Sequence, residues 1–389
     1  MTTFRKFTGI NNVLPPERLK PTDLAMANNV DIGMDGEARR RKGHAIARAG
    51  AYTNVWDGSG FGLGVKGNDL VNVANDAVLH AGVGTARMWY SNLPDGRTAY
   101  SNGTYNGIAL AATRTAWGVP IPASLGTAAG ISGQLHPGDY QYSLAYVRTA
   151  DGLEGGPAYA APVTLAAGGL SLTALPVLTG YTIAVYLSTH FGEQCYRAGA
   201  TAGATFSFTG QNKDLVMPCR TDFMYPAPVG IAPCLWNGRV LLAVGPVLYA
   251  SQYGRVELFD LRRDFKQFSG DITSVVDVDG GIYVGTTKEL AYLEGETFDK
   301  LVFNQVVDGP VVLGSGVQVD GEKIAVGEGV GSGHAMVCIA NHSLVAGFSG
   351  GKVVHMTEGR YVTTATEVCA TFRTINGIPQ YLAAVIHTA

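Results

Sequence analysis

Six positions read Gly62-Leu-Gly64-Val-Lys-Gly67, the GxGxxG spacing that cradles a dinucleotide pyrophosphate when it opens a helix. Here the glycines run into an apolar strand pattern and an Asn68-Asp69 turn, so they are read as hairpin glycines. Ser332-Gly333-His334 sets a hydroxyl near an imidazole but lacks the GxSxG elbow of a nucleophilic serine. The carboxylate pairs Asp277/Asp279 and Asp31/Asp35 have calcium-loop character without the further oxygen ligands of an EF-hand, and are read as polar turns. The eight histidines show no HxH or HExxH spacing, and the five cysteines (Cys195, Cys219, Cys234, Cys338, Cys369) form no CxxC pair. These patterns predict no catalytic residue, no metal site and no cofactor, hence a protein that is not an enzyme. Trp56, Trp89, Trp117 and Trp236 are candidate core or interface anchors.

The elements that carry these residues are short. Three features of composition point the same way: 52 glycines, 46% apolar residues and only 15% charged ones. A chain so poor in charge must hide much of its surface in a core or against partners, and the glycines favour tight turns over long helices. Only Pro16 to Asn29 reads as helical, a single turn capped by Thr22 or Asp23 and stopped by the asparagines. The rest alternates between β-branched or aromatic runs and Gly/Asn/Asp turns. Phe61–Val73, Gly238–Ser251, Gly281–Gly295 and His342–Met356 are four such hairpins.

The last three hairpins begin about 40 to 60 residues apart, near the repeat length of propeller blades. Radial packing with a closing strand from the opposite terminus would cover their unpaired edges. Residues 1–48 are the candidate for that arm and closing strand, 49–117 for the first propeller part and 223–389 for the remaining blades. Composition changes across 118–222, from Gly118-Val-Pro-Ile-Pro122 and the Ala/Gly/Ser stretch 123–133 to Tyr225-Pro-Ala-Pro228. The six alternating runs inside those linker signals predict an inserted β-sandwich.

Charge is uneven. Residues 1–48 hold nine Lys or Arg against five acids, a net of +4, and the remainder carries −7. Arg39-Arg40-Arg41-Lys42 is therefore a candidate contact for phosphate or an acidic neighbouring subunit, or else a solvated turn before a strand. The overall −3 gives no strong attraction to nucleic acid or anionic membrane. No apolar run is long enough for a membrane span, and Met1–Lys6 lacks the apolar core of a secretory signal, which predicts synthesis in a reducing cytoplasm.

The N-terminal series Phe7-Thr-Gly-Ile-Asn11-Asn12, Leu24-Ala-Met-Ala-Asn28-Asn29-Val-Asp31-Ile32, Gly36 and Arg39–Gly43 resembles the opening of the tail-tube nozzle, or packaged-DNA stabilisation, proteins of short-tailed bacteriophages. Later segments extend the resemblance: Tyr100–Gly103, Trp117–Pro122, Pro137–Tyr140 with Tyr146, Asp151–Gly155 and Trp236–Arg239. The resemblance implies an all-β fold, a β-propeller body with an inserted fibronectin-III-like sandwich. It also implies a virion tail protein made in the bacterial host, forming a ring of six that continues the DNA exit channel below portal and adaptor. Its expected partners are its own copies, the head-tail adaptor or portal, and tail fibre or spike proteins, with DNA passing unbound. Asn11, Asn12, Asn29, Asp31, Arg39, Arg40, Arg41 and Lys42 are then the expected subunit interface. A receptor- or glycan-binding propeller is the alternative; a glycan-cleaving one lacks an acid pair or arginine cluster.

Overall fold

The computed structural model describes residues 6–386 except 34, 42, 44, 59, 327, 328 and 376. The chain is all-β. Among the described residues there are strands and short 3₁₀ turns but no α-helix. It divides into two compact units. The first comprises Met1–Thr104, Gly230–Leu248 and Lys266–Ala389; the second comprises Tyr105–Val229 and Tyr249–Phe265.

The first unit is built from antiparallel meanders. Tyr52–Asp57, Gly62–Lys66, Asp69–Asn72 and Ala77–His80 form one four-stranded sheet in chain order. Ile272–Val278, Gly281–Thr286, Glu289–Glu294 and Val302–Asp308 form a second, and Val317–Asp320, His334–Ala340, Ser343–Gly347 and Val353–His355 a third. Turn chemistry explains why these hairpins close tightly. Asn237 and Gly238 (φ 43° and 72°) join Trp236 to its partner Arg239, and Asn341-His342 (φ 45° and 65°) join Ala340 to Ser343. Two successive positive φ values give the type I′ turn whose twist matches the strands.

Consecutive meanders share apolar faces. Tyr283 and Tyr292 lie 5.0 Å apart by ring centroids and pack with Leu290, Met336, Cys338 and Val345, so the second and third sheets bury one core together. The first strands are also neighbours in chain order. Trp56 stacks on Tyr90 at 5.7 Å, and Ile231–Trp236 lies against both Trp89–Asn92 and Ile272–Val278.

The second unit contains a sandwich. Thr127–Ser132, Gly168–Thr173 and Phe206–Phe208 make one sheet; Ala161–Leu165, Gly138–Arg148, Tyr181–Ser188 and Cys195–Thr201 make the other. The two-residue period decides the faces. Tyr140, Tyr142, Leu144 and Tyr146 point into the shared core with Ile183, Val185 and Leu187. Ala145, Ala184 and Tyr186 point outward, yet they are buried too, under chain that returns over the four-stranded sheet. Tyr140 donates its hydroxyl to the carbonyl of His136 at 2.9 Å, fixing the corner before its strand.

Two expectations change. The stretch 123–133, read as a flexible linker, contains the edge strand Thr127–Ser132. Its small residues allow close backbone approach, since a Cβ at Gly133 would sit 2.2 Å from the Gly168 carbonyl oxygen. Pro16–Asn29 is not helical beyond the 3₁₀ turn Pro16–Arg18, and Asp23–Leu24 is a strand parallel to Gly9–Ile10. Pro21 interrupts the run, and the Asp23 carboxylate is engaged by side chains far from any helix start. The compact unit also runs wider than 118–222. Trp117 donates Nε1–H to the Val256 carbonyl at 2.8 Å, and Arg148 pairs with Glu257, drawing Tyr249–Phe265 into the same body.

Leu187 is fully buried in the sandwich core, whereas Val177 in the same unit is 53% exposed. Leu187→Ala should cost roughly 2–5 kcal/mol by urea denaturation, and Val177→Ala under about 0.5 kcal/mol. Equal losses at the two positions would contradict the assigned core.

Candidate assembly surface and pocket

The chemistry-bearing motifs fall on ordinary elements. Gly62–Lys66 is a strand entering a two-residue turn, not a helix. Asp277 lies on a buried strand with its carboxyl 3.6 Å from Cys234 Sγ, and burial pushes its pKa above the usual aspartate value. Asp279 is exposed and pairs with His334 Nδ1 at 3.2 Å. Of the tryptophans, Trp117 and Trp236 are buried; Trp89 lies under the Arg87 guanidinium at 4.3 Å and Trp56 on Tyr90.

The N-terminal arm holds the expected interface residues in two groups, Asn11 and Asn12 in a latch to a segment near the other end of the chain, and Asn29, Asp31, Arg39, Arg40 and Arg41 on a hairpin. Asn11 is buried; its Oδ1 accepts the backbone N–H of Val13 and Leu14, and its amide donates to Asp23. Asp23 also accepts from Thr8 Oγ1 at 2.8 Å and Arg360 Nη2 at 3.0 Å. Thr8 foremost, then Asn11 and the Arg360 charge, hold its pKa below the ordinary aspartate range despite opposing desolvation. Asn12 fastens the same segment with three bonds: its N–H to the Arg360 carbonyl, its Nδ2 to the Val362 carbonyl at 2.8 Å, and Val362 N–H to its Oδ1 at 2.9 Å.

Asn29 starts a hairpin of Val30–Ile32 paired with Ala38–Arg40. It has φ 56°, and its carbonyl accepts Arg41 N–H. No residue of either strand is buried. The arginines are not equivalent. Arg39 pairs with Asp35 and Glu37, and Arg41 with Asp31 at 3.0 Å. Arg40 is exposed with no side-chain partner among the described residues. Lys42 lies outside the described residues. Two apolar side chains of the arm are bare, Met26 at 71% and Ile46 at 84% exposure. Composition flagged the Asn pairs and the arginine run; Arg360 and Val362 carry no local signal.

The second unit holds a pocket of about 300 Å³ on the outer face of the four-stranded sandwich sheet. Gln141, Ser143, Tyr186 and Cys195 form its floor, and residues 157–160 and 219–225 its walls. Tyr159 and Tyr225 join hydroxyls across it at 3.0 Å, and Ser143 Oγ donates to the Ala158 carbonyl. Beside it Glu154 accepts from the Tyr186 hydroxyl and from Arg197 at 2.9 Å. Burial raises the pKa of Asp222 and pushes the Cys195 thiol up to about 11. Sequence spacing does not disclose this site, because its residues come from six separate stretches.

No family model matches the chain, and no curated protein matches it. Among solved structures it is similar to a computationally designed protein, Ika8. That likeness has 7% identity and a TM-score of 0.26, over 86% of this chain and 96% of that one.

The latch generates a prediction. Asn12→Ala removes the two side-chain hydrogen bonds to Val362 and should expose the arm to limited proteolysis at Arg18 several-fold faster than wild type. Because the Asp23 pKa is depressed in the fold, its contribution is complete above the unfolded aspartate value and lost as pH falls through the lower folded one. The wild-type arm should therefore stay protected at pH 5 and loosen only below the ordinary aspartate pKa of about 3.9. Amide hydrogen exchange of residues 7–12 across that range is the measurement; loosening already at pH 5 would refute the assignment.

Proposed function

We propose that this chain is a structural subunit of a short-tailed phage tail. In this reading it forms a ring, the nozzle or connector, that continues the DNA exit channel below portal and adaptor and helps retain packaged DNA. The observation that carries the reading is the arm, whose positions 7–43 bear the sequence resemblance. It is anchored by Asn11, Asn12 and Asp23, and carries an exposed hairpin whose Arg40 has no side-chain partner among the described residues; elsewhere on the arm Met26 and Ile46 are exposed. Apolar anchors with a cation are the composition of a protein contact rather than of a solvated loop. An acidic patch on a neighbouring copy or adaptor is the partner that matches it.

The body is read as a β-propeller. Consecutive meanders with neighbouring first strands support this, as does Arg87, which reaches from just before Trp89–Asn92 to the Val368 carbonyl at 2.6 Å and to Glu367. A conduit should not grip DNA, since each added phosphate contact strengthens non-specific attachment. Six copies would carry −18, which repels phosphate. A second reading, a receptor- or glycan-binding module, draws on the pocket with its Tyr159 and Tyr225 walls, and specific glycan-array binding lost in Tyr159→Ala would favour it.

Arg40→Glu leaves the hairpin's internal ion pairs in place, so it should melt within about 2 °C of wild type. It should nevertheless fail to form rings in electron micrographs and fail to complement a virion lacking this subunit. Normal rings and normal complementation by Arg40→Glu would overturn the arm-mediated assembly reading.

A further inference from the structure

We propose that Cys195 and Cys219 are a dithiol site that closes to a cross-strand disulfide by exchange with a small-molecule disulfide. This stands apart from the function proposed above and rests on the geometry of the second unit alone.

Tyr196 and Pro218 form an antiparallel bridge, with Arg197 N–H donating to the Met217 carbonyl at 2.7 Å and Cys219 N–H to the Cys195 carbonyl at 3.1 Å. In that register Pro218, which has no N–H, takes the position needing none. Cys195 and Cys219 fall opposite each other in that register, joined by one of the two bonds of a hydrogen-bonded pair. Such pairs have Cα atoms about 5.5 Å apart, inside the range a disulfide spans, and their side chains leave the same face. Two independent observations put both thiols on that face. Both pack against the buried cluster of Ala145, Ala184 and Tyr186, and both line the 300 Å³ pocket. Both cysteines are half-buried and free.

Desolvation first, and then the neighbouring thiol, hold Cys195 near 11; desolvation also raises Cys219. Cys219 has the Thr221 hydroxyl 3.6 Å from its sulfur, a donor for the thiolate, which makes it the first nucleophile. The Cys219 thiolate attacks one sulfur of the reagent RSSR, breaking its S–S bond and releasing RS⁻, which takes up the proton Cys219 gave to solvent. The Cys195 thiolate then attacks the Cys219 sulfur of the mixed disulfide and expels the second RS⁻. Two protein S–H groups and RSSR become one protein S–S bond and two RSH. The protein dithiol is oxidised and the reagent reduced. The new bond ties residues 219–225, one wall of the pocket, to the strand Cys195–Thr201.

The test uses full-length Cys369→Ser protein, which lacks the exposed thiol, incubated with glutathione disulfide. The expected product is about 2 Da lighter with no retained glutathione, and digestion releases a peptide joining Cys195 to Cys219. Its rate rises about tenfold per pH unit between pH 7 and 9, because both thiols ionise above that range. Cys219→Ser should give no cross-link. A stable glutathione adduct on either cysteine, or unreacted Cys195 and Cys219 at pH 9 when free glutathione thiol is rapidly exchanged, would overturn the proposal.

Discussion

The second unit turns on a buried ion pair. Arg148 and Glu257 each expose 6% of their side chains and meet at 2.8 Å, while the more exposed Asp151 holds the other edge of the guanidinium. Removing two such charges from water costs several kcal/mol each, and the pair recovers this only through good geometry. The strand Gly138–Arg148 therefore ends where Glu257 waits, and Arg255–Phe259 is bound to the sandwich rather than left as a neighbour in sequence only. Trp117, edge-on to Phe259 at 6.4 Å, and the mutual backbone bonds of Tyr225 and Phe259 reinforce the same junction. The extent of the unit, Tyr105–Val229 with Tyr249–Phe265, follows from this polar link between residues 109 positions apart.

That dependence explains what the sequence discloses and what it hides. The hairpins at 61–73, 281–295 and 342–356 are legible because each is local, with turn residues and alternation lying within fifteen positions. Six of the seven sandwich strands are legible for the same reason. The seventh, Thr127–Ser132, is made of small residues that look like linker, and only its partner Gly168–Thr173 reveals why they are small. Pairings over long separations leave no such trace. Asn12 meets Val362 across 350 positions and Asp23 meets Arg360 across 337, and nothing near either residue announces the other. Asp23 was equally suitable as a helix cap. It became an acceptor for Thr8 and Arg360 because tertiary partners outcompeted a local turn.

The arm's electrostatics are subtler than its composition. A net +4 over residues 1–48 suggests a general attraction for anything acidic. The fold instead neutralises Arg39 and Arg41 within the hairpin, and Arg48 with Asp76 at 3.1 Å. Exposed pairs of this kind contribute little stability, but they fix the side chains and cancel their long-range field. Lys6, Arg18, Lys20 and Arg40 are exposed without an ion pair among the described residues, so part of the arm's positive charge stays open to solvent.

The sandwich carries the converse lesson about apolar residues. Most antiparallel sheets bury one face and wet the other, giving clean alternation. The four-stranded sheet here has a packed inner face and a largely covered outer one, since Ala145, Ala184 and Tyr186 are buried beneath the returning chain. The covering stretch lacks a continuous ladder, so it touches the sheet through isolated contacts such as the Tyr196–Pro218 bridge and the Ser143–Ala158 bond. Gaps between isolated contacts become cavities, and a cavity walled by loop on one side and strand on the other collects the side chains each presents. The two thiols, the tyrosine pair and the Asp222 carboxyl share one pocket for that reason. Its chemistry is a consequence of covering a sheet face with chain that cannot pair along it.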